Sequence, residues 1–168
     1  MRKAIINYAT EISNSFERNP GLCFAYEGRN FCADMYRIIE TETQIPGLDL
    51  RTDHVDLYVR HMETITNRDY DYQLHDLPPV KEIKDGIHAL VGRKFDTVGW
   101  SDGVVTINAR FLYKTMEALK AKKCYVSSKR YSGIFFFEDD DPEAINKCMV
   151  LPVVDNGKRG FWVVEKKE

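Results

Sequence analysis

The segment from Val105 to Ala121 reads VTINARFLYKTMEALKA, and this order of residues predicts a strand that runs directly into a helix. Residues 104–107 are all β-branched, as strands prefer. Asn108 suits the position before a helix, because its side chain can accept a hydrogen bond from a backbone N–H of the first turn. Over residues 109–121 an apolar stripe recurs at helical spacing, on Leu112, Met116 and Leu119.

Strands are expected after this helix. Residues 124–127, 133–137 and 147–154 are rich in β-branched and aromatic side chains, and an acidic run at 138–143 joins the last two. Residues 155–158 then predict a turn, and residues 161–164 predict a final strand. The C-terminal half therefore predicts one helix followed by an antiparallel set of strands.

The N-terminal segment predicts a similar order of elements. Apolar residues recur at helical spacing over residues 3–18, namely Ile5, Tyr8, Ala9, Ile12 and Phe16. Asn19-Pro20-Gly21 ends this helix. Residues 22–33 then predict a β-hairpin, and residues 37–43 a further strand.

These two orders predict an α+β fold, in which two β-α-β-β-β-like units share one antiparallel sheet with the helices on one face. No composition change or linker divides the chain. We therefore expect residues 1–168 to form a single domain, with residues 155–168 as a C-terminal strand extension.

The segment between the two units is ambiguous at one place. Residues 54–60 alternate, with Val55, Leu57 and Val59 on one side of a strand, but Thr52 or Asp53 could instead cap a helix there. Residues 67–76 predict a loop or an edge strand. Residues 79–90 predict a helix, and residues 95–100 and 104–107 predict a hairpin around Ser101-Asp102-Gly103.

Composition limits the function classes. The chain has 168 residues and a formal net charge of −2, so nucleic-acid contact would require a local basic patch. No apolar run approaches the roughly 20 residues needed to cross a bilayer, and the first residues lack the apolar region of a signal peptide. We therefore expect a cytoplasmic protein that does not bind membranes.

The four cysteines, Cys23, Cys32, Cys124 and Cys148, include no C-x-x-C pair. In a reducing cytoplasm they are expected to be buried free thiols. A bridge between Cys23 and Cys32 across the predicted hairpin is the alternative.

The sequence contains no recognisable catalytic motif. It lacks a phosphate-binding P-loop, a G-x-G-x-x-G segment after a strand and a G-x-S-x-G elbow. No two histidines are spaced for a helical zinc site. The run at 138–141 lacks the spacing of a calcium loop and predicts a solvated turn. We therefore expect no enzyme activity, no cofactor and no metal.

Positive charge is concentrated in one stretch. Between positions 110 and 130 the basic residues are Arg110, Lys114, Lys120, Lys122, Lys123, Lys129 and Arg130, opposed only by Glu117. Such a cluster could contact DNA phosphates without reading bases. Lysines also favour the last turn of a helix because they complement its dipole, so a purely structural role stays open.

The segment at 105–121, together with Met149-Val150-Leu151-Pro152-Val153, resembles the DNA polymerase III beta subunit, the bacterial sliding clamp. That family has an N-x-x-Y-L-x-x-A-L-K-A-like helix start and ends in a V-M-P-M strand. Residues 33–38 are more weakly similar to its T-D-G-[HY]-R-L turn, with Met35 in place of the glycine, and residues 69–78 to its F-P-D-Y-x-x-x-x-P stretch. The stronger similarity covers residues 104–154.

The resemblance implies a non-catalytic processivity factor or related accessory protein of DNA replication or repair. In the family, basic side chains on the helices face DNA, which implies DNA contacts at Arg110, Lys114, Lys120, Lys122 and Lys123. A peptide pocket that receives polymerases implies partner contacts at Arg37, Ile38, Met149, Leu151, Pro152 and Val153. A clamp subunit carries three such domains, so encircling DNA would require this chain to form homo-oligomers.

The sequence is also compatible with two alternatives. One is a clamp-fold interaction module that binds a protein partner and no DNA. The other is a small enzyme whose site is assembled from distant residues such as His54, His75 and Asp102.

Overall fold

The computed structural model describes residues 3–14, 22–45, 55–90, 97–154 and 157–164. Within these ranges the helices are α1 (Lys3–Ser13), α2 (Val55–Glu63), α3 (Val80–Leu90) and α4 (Ala109–Leu119). The strands are β1 (Leu22–Tyr26), β2 (Arg29–Ala33), β3 (Arg37–Thr41), β4 (Tyr72–Asp76), β5 (Thr97–Ser101), β6 (Thr106–Asn108), β7 (Lys123–Ser127), β8 (Ile134–Phe137), β9 (Lys147–Val150) and β10 (Gly160–Val164). None of the described helices is both long enough and apolar enough to span a bilayer.

Helix α4 begins at the predicted residue and ends at Leu119, two residues before the predicted end at Ala121. The Asn108 side chain accepts hydrogen bonds from the backbone N–H groups of Arg110 and Phe111, at 3.0 and 3.2 Å. At the other end, Lys120 adopts a left-handed conformation with φ of 53°. The N–H of Ala121 then reaches back to the Met116 carbonyl. Both ends of the helix thus have bonded backbone groups.

Two α-β-β-β units share one seven-stranded sheet, which confirms the predicted α+β class. The strand order is β1-β2-β3-β9-β8-β7-β4. The first unit is α1 with β1 to β3, and the second is α4 with β7 to β9. The last strands of the units, β3 and β9, pair antiparallel at the centre, with Ile38 opposite Met149 and Ile39 opposite Cys148.

One face of this sheet is covered by α1 and α4, and α3 packs against α4 and against β10. Alternate strand residues point toward these helices, because successive side chains of a strand lie on opposite faces. Among them are Ile39, Cys124, Phe136, Cys148 and Val150, which share one buried cluster with the apolar stripes of the three helices.

The other face is covered by α2, which differs from the expected arrangement with every helix on one face. Val59 and Met62 of α2 form a second buried cluster with the alternate strand residues Phe31, Ile38 and Phe135. The sheet therefore has a core on both faces. Apolar side chains at consecutive strand positions are buried, as in the run Ile134–Phe137.

The ambiguous segment before position 60 forms the helix α2 from Val55 onward. The side chains that contact the sheet are Val55, Tyr58, Val59 and Met62, a spacing that fits a helix period and not a strand period. Leu57, which a strand would have buried beside Val55 and Val59, is 51% exposed. Residue 54 lies outside the described residues. Of residues 67–76, the last five form β4, an edge strand beside β7.

A second sheet has the order β10-β5-β6. Strand β10, which lies within the predicted C-terminal extension, pairs along β5 with Trp162 opposite Gly99. The two glycines facing β10 leave room for its aromatic side chains. A Cβ on Gly86 of α3 would lie 2.2 Å from the Phe161 ring, and one on Gly99 would lie 2.6 Å from the Trp162 ring.

Candidate functional site

The β2–β3 turn holds Arg37 in a buried position. The Asp34 carboxylate accepts hydrogen bonds from the backbone N–H groups of Tyr36 and Arg37, at 2.8 and 2.6 Å. It also accepts one from Nε of Arg37 at 2.9 Å. The Arg37 side chain is only 3% exposed. The turn thus pairs a buried guanidinium with a buried carboxylate.

Arg37 connects this turn to two helices. Its guanidinium lies 4.0 Å from the ring centre of Phe111 in α4 and 5.5 Å from that of Tyr8 in α1. Nη1 is buried without a hydrogen bond and lies 3.8 Å from the Glu11 carboxylate. Because the guanidinium is buried between the turn and these two helices, Arg37 is placed to position the turn and not to touch a partner directly.

The structure brings together the six residues that the resemblance assigned to partner binding. Arg37 and Ile38 of β3 lie opposite Val150 and Met149 of β9, and the N–H of Leu151 donates to the Tyr36 carbonyl at 2.8 Å. Ile38 and Met149 are buried under α2, whereas Arg37 is buried on the opposite face of the sheet. Leu151, Pro152 and Val153 remain exposed or half-buried beyond the end of β9.

A surface groove of about 220 Å³ lies beside Pro152 and Val153. Its other walls are the β5–β6 turn and the connection between β7 and β8. We name it the Tyr131 groove, after its largest exposed side chain. Its lining includes Val104, Lys129, Arg130, Tyr131, Pro152, Val153 and Val154.

The Tyr131 groove combines exposed apolar side chains with positive charge. Val104, Tyr131 and Val154 are 59%, 55% and 58% exposed. The Arg130 guanidinium lies 4.9 Å from the ring centre of Tyr131. Tyr131 has φ of 67°, an uncommon value for a residue other than glycine. The sequence did not mark these residues as functional: it predicted strands that include Val104 and Val154, and Tyr131 lies in a turn that carries no periodic signal.

The predicted DNA-contact residues are dispersed, and two of the five have acidic partners. Arg110 is exposed at the start of α4. Lys114 instead donates to the Glu11 carboxylate of α1 at 2.7 Å. Lys123 lies 3.8 Å from the Asp76 carboxylate. An uninterrupted basic surface is therefore not formed by this set.

Lys120 and Lys122 lie close together just after α4, where the Asp140 carboxylate accepts hydrogen bonds from the backbone N–H groups of Lys122 and Lys123. Their ammonium groups have no carboxylate partner among the described residues. They flank a mostly apolar groove of about 500 Å³ between α3 and α4. The large apolar side chains of that groove, Leu77, Val80 and Met116, are buried or half-buried. Among the described residues, Lys120 and Lys122 thus share with Arg110 the absence of a carboxylate partner.

Two of the three residues named for an enzyme site do meet. Nε2 of His75 in β4 lies 2.5 Å from Oδ2 of Asp102 in the β5–β6 turn. Partial burial acts to raise the pKa of Asp102, but hydrogen bonds from His75 and from the N–H groups of Val104 and Val105 outweigh it and lower that pKa below its usual value. His54 lies outside the described residues.

The neighbouring groups do not complete a nucleophilic site around this pair. Cys124 lies directly opposite His75 in the sheet, but it is fully buried, and burial raises the pKa of its thiol well above the usual range. A buried neutral thiol is a poor nucleophile. Across the described ranges, no group of three or more histidine, cysteine or acidic side chains is arranged to hold a metal. The His75–Asp102 pair is best described as a link between β4 and the second sheet.

No family model matches the chain, and no curated protein matches it significantly in sequence. Among solved structures, it is similar to a protein from Eubacterium rectale provisionally assigned as a DNA polymerase III beta subunit, with a TM-score of 0.56 and 13% identity. It is also similar to the DNA polymerase sliding clamp of Pseudomonas aeruginosa, with a TM-score of 0.48 and 10% identity. The matches cover 90% and 92% of this chain but 63% and 65% of those chains. This chain therefore spans less than two thirds of their length, and the similarity to the first of them shows a sliding-clamp-like fold.

Proposed function

We propose that this chain, which has a fold like that of the DNA sliding clamps, is a non-catalytic accessory protein that docks a short peptide of a replication or repair partner in the Tyr131 groove. The observation that carries the proposal is the concentration of exposed apolar side chains around Pro152 and Val153. Isolated exposed apolar residues are common on proteins, but a group of them around a concave surface is typical of a binding site.

The walls of the groove are anchored by the sheets. The N–H of Val153 donates to the Thr106 carbonyl of β6 at 3.1 Å, which fixes the chain after β9 against the second sheet. The N–H of Leu151 is bonded to the β2–β3 turn that Arg37 and Asp34 hold in place. Because binding to a rigid surface costs less ordering entropy, such a groove suits a short extended peptide.

The charge at the groove predicts the kind of peptide. Lys129 and Arg130 lie at its edge and are exposed, whereas Val104, Tyr131 and Val154 supply the apolar surface. An apolar side chain of the peptide would occupy the centre, and an acidic side chain would lie toward the two basic residues. We therefore propose a partner segment that carries leucine or phenylalanine next to aspartate or glutamate.

Fluorescence polarisation with labelled hexapeptides of this composition tests the proposal. We expect binding in the micromolar range, weakened at least about tenfold by the Tyr131→Ser substitution, because loss of a central aromatic hot spot costs about 2 kcal/mol or more and about 1.4 kcal/mol is a factor of ten. Leu57→Ser is the matched control, since Leu57 is similarly exposed on α2 but lies outside the groove. If no such peptide binds, or if Tyr131→Ser and Leu57→Ser bind equally well, the proposal is wrong.

A second candidate function, DNA binding without sequence preference, is supported by Lys120 and Lys122. Their ammonium groups lack carboxylate partners among the described residues, and Arg110 adds an exposed charge at the far end of α4. Encircling DNA would in addition require several copies of the chain. The outer edges of β1 and β4, at the two ends of the large sheet, are places where copies could associate.

Anisotropy of a labelled DNA duplex, measured at 50 and 200 mM salt, tests this second candidate. We expect binding that weakens about tenfold or more with salt, and a loss of similar size when Lys120 and Lys122 are both changed to Gln. Lys81→Gln on α3 is the control, because Lys81 is exposed and lies outside this pair. Light scattering of the same samples gives the number of copies. Absence of binding at 50 mM salt would leave peptide docking as the sole proposed function.

A further inference from the structure

Two cysteine side chains face each other inside the first hairpin. Cys23 of β1 and Cys32 of β2 are directly opposite in the register, and their sulfur atoms are 2.8 Å apart. Both side chains are buried, and both are free thiols. A separation of 2.8 Å is shorter than ordinary van der Waals contact between two sulfur atoms, so the backbone already places these atoms for bonding.

The geometry of the hairpin explains this closeness. Its loop is Glu27-Gly28, and both residues have positive φ, 49° and 77°, as a two-residue type I′ turn requires. In antiparallel strands, hydrogen-bonded and non-hydrogen-bonded residue pairs alternate. The pair next to such a turn, Tyr26 and Arg29, is hydrogen-bonded. The pair Cys23–Cys32 is therefore of the non-hydrogen-bonded kind. In that kind the Cα atoms are about 4.5 Å apart, within the range that a disulfide spans.

We propose that Cys23 and Cys32 form a redox site, in which a small-molecule disulfide such as oxidised glutathione converts the two thiols into an intramolecular disulfide. In the first step, one protein thiol loses its proton, and its thiolate attacks the oxidant, which releases one glutathione thiolate. The second protein thiol then loses its proton and attacks the mixed disulfide, which releases the other glutathione. The protein pair loses two electrons and two protons, and the oxidant becomes two thiols.

The surroundings of the pair set its reactivity. A hydrogen bond from Cys32 outweighs burial and lowers the pKa of the Cys23 thiol, which favours Cys23 as the attacking group. Burial raises the pKa of Cys148 to about 12 and that of Cys124 further, and these two lie on β9 and β7 with β8 between them. They therefore serve as internal controls. Helix α1 belongs to the same core cluster as Cys23 and Cys32, so the oxidant reaches them when α1 opens locally.

The disulfide would fix the first strand in the order of the large sheet. Strand β1 is an end strand of that sheet and pairs with β2. A covalent bond across the hairpin keeps β1 in place even when other contacts loosen. The site thus lies apart from both the Tyr131 groove and the Lys120–Lys122 pair, and it does not depend on either proposed function.

The test uses the purified full-length chain, fully reduced and then incubated with oxidised glutathione. After denaturation and alkylation, mass spectrometry is expected to find two labelled cysteines instead of four, and peptide mapping is expected to link Cys23 to Cys32. The oxidised protein should melt roughly 5–10 °C higher than the reduced one, because a closed loop of this size restricts the unfolded chain. In the Cys32→Ala variant both the link and the shift should disappear.

Mass spectrometry of the unmutated chain tests the proposal even if the Cys32→Ala variant does not fold. The proposal is overturned if all four cysteines remain labelled after prolonged oxidation, if the disulfide joins Cys124 or Cys148, or if it joins two chains. An intramolecular Cys23–Cys32 disulfide without any rise in melting temperature would support the redox site, but it would overturn the expected stabilisation of the hairpin.

Discussion

Substitution of Arg37 by methionine is expected to cost about 3–5 kcal/mol of unfolding free energy, as measured by urea denaturation. Methionine has a similar length and no charge. It would leave the Asp34 carboxylate, only 2% exposed, without the guanidinium that compensates its burial. A buried charge that loses its partner is among the most costly changes in a protein core.

The expected loss of unfolding free energy comes from the interaction between Arg37 and Asp34, so the effects of changing the two residues should not add. In Asp34→Asn, the side-chain oxygen can still accept the backbone N–H groups of Tyr36 and Arg37, but the charge is removed. We therefore expect the double variant Arg37→Met/Asp34→Asn to lose clearly less stability than the sum of the two single variants. Arg110→Met, the same change at an exposed position, should stay within about 0.5 kcal/mol of the unchanged protein.

A cost below about 1 kcal/mol for Arg37→Met would contradict the buried network described above. A large loss of unfolding free energy in Arg37→Met would also predict that the folded variant binds the peptide more weakly, because the turn that bonds to Leu151 would move. Peptide affinity measured well below the melting temperature separates this effect from simple unfolding.

Truncation of either Phe135 or Phe136 to alanine is expected to cost about 3–5 kcal/mol, as is usual for large buried aromatics. The two residues are neighbours in β8 and are both fully buried, but they point to opposite faces of the sheet. Phe136 lies in the cluster under α1, α3 and α4, whereas Phe135 lies in the cluster under α2. Its ring also makes an edge contact with Tyr72, with centroids 5.4 Å apart.

The comparison of these neighbours tests the two-sided core directly. If α2 did not cover the second face, Phe135→Ala would remove a solvated side chain and cost little, while Phe136→Ala would remain severe. Leu57→Ala on the outer side of α2 is the control and should cost less than about 1 kcal/mol. Chemical denaturation of the three variants under one set of conditions gives the answer.

Local patterns predicted most of the helices and strands, and the reason is visible in α4. Its cap at Asn108 and its stripe on Leu112, Met116 and Leu119 are local signals that the packing reinforces. The segment at 54–60 was ambiguous because its apolar residues fit both the helix period and the strand period over so short a span. Only the contact of Val59 and Met62 with the sheet decides for a helix. That contact depends on residues distant in the chain, which local patterns do not contain.

The sequence predicted which segments meet at the candidate site, but it did not predict the contacts of their side chains. The resemblance placed Arg37 and Ile38 near Met149 and Leu151, and the β3–β9 pairing brings them together. It did not predict that Arg37 would be buried against α1, because Glu11 and Tyr8 are far from it in sequence. For the same reason the basic run gave no sign that Glu11 would pair with Lys114.

The central pairing of β3 with β9 also affects how the chain folds. Arg37 meets Val150 and Glu40 meets Lys147, so the two halves join through residues separated by most of the chain. Closing so long a loop is entropically costly, and folds dominated by such contacts acquire their structure slowly. During synthesis the first unit is made long before β9. Until β9 is available, the edge of β3 that pairs with it, which includes the apolar Ile38 and Ile39, is unpaired. A chain interrupted before Lys147 would retain that open edge and would be prone to aggregate.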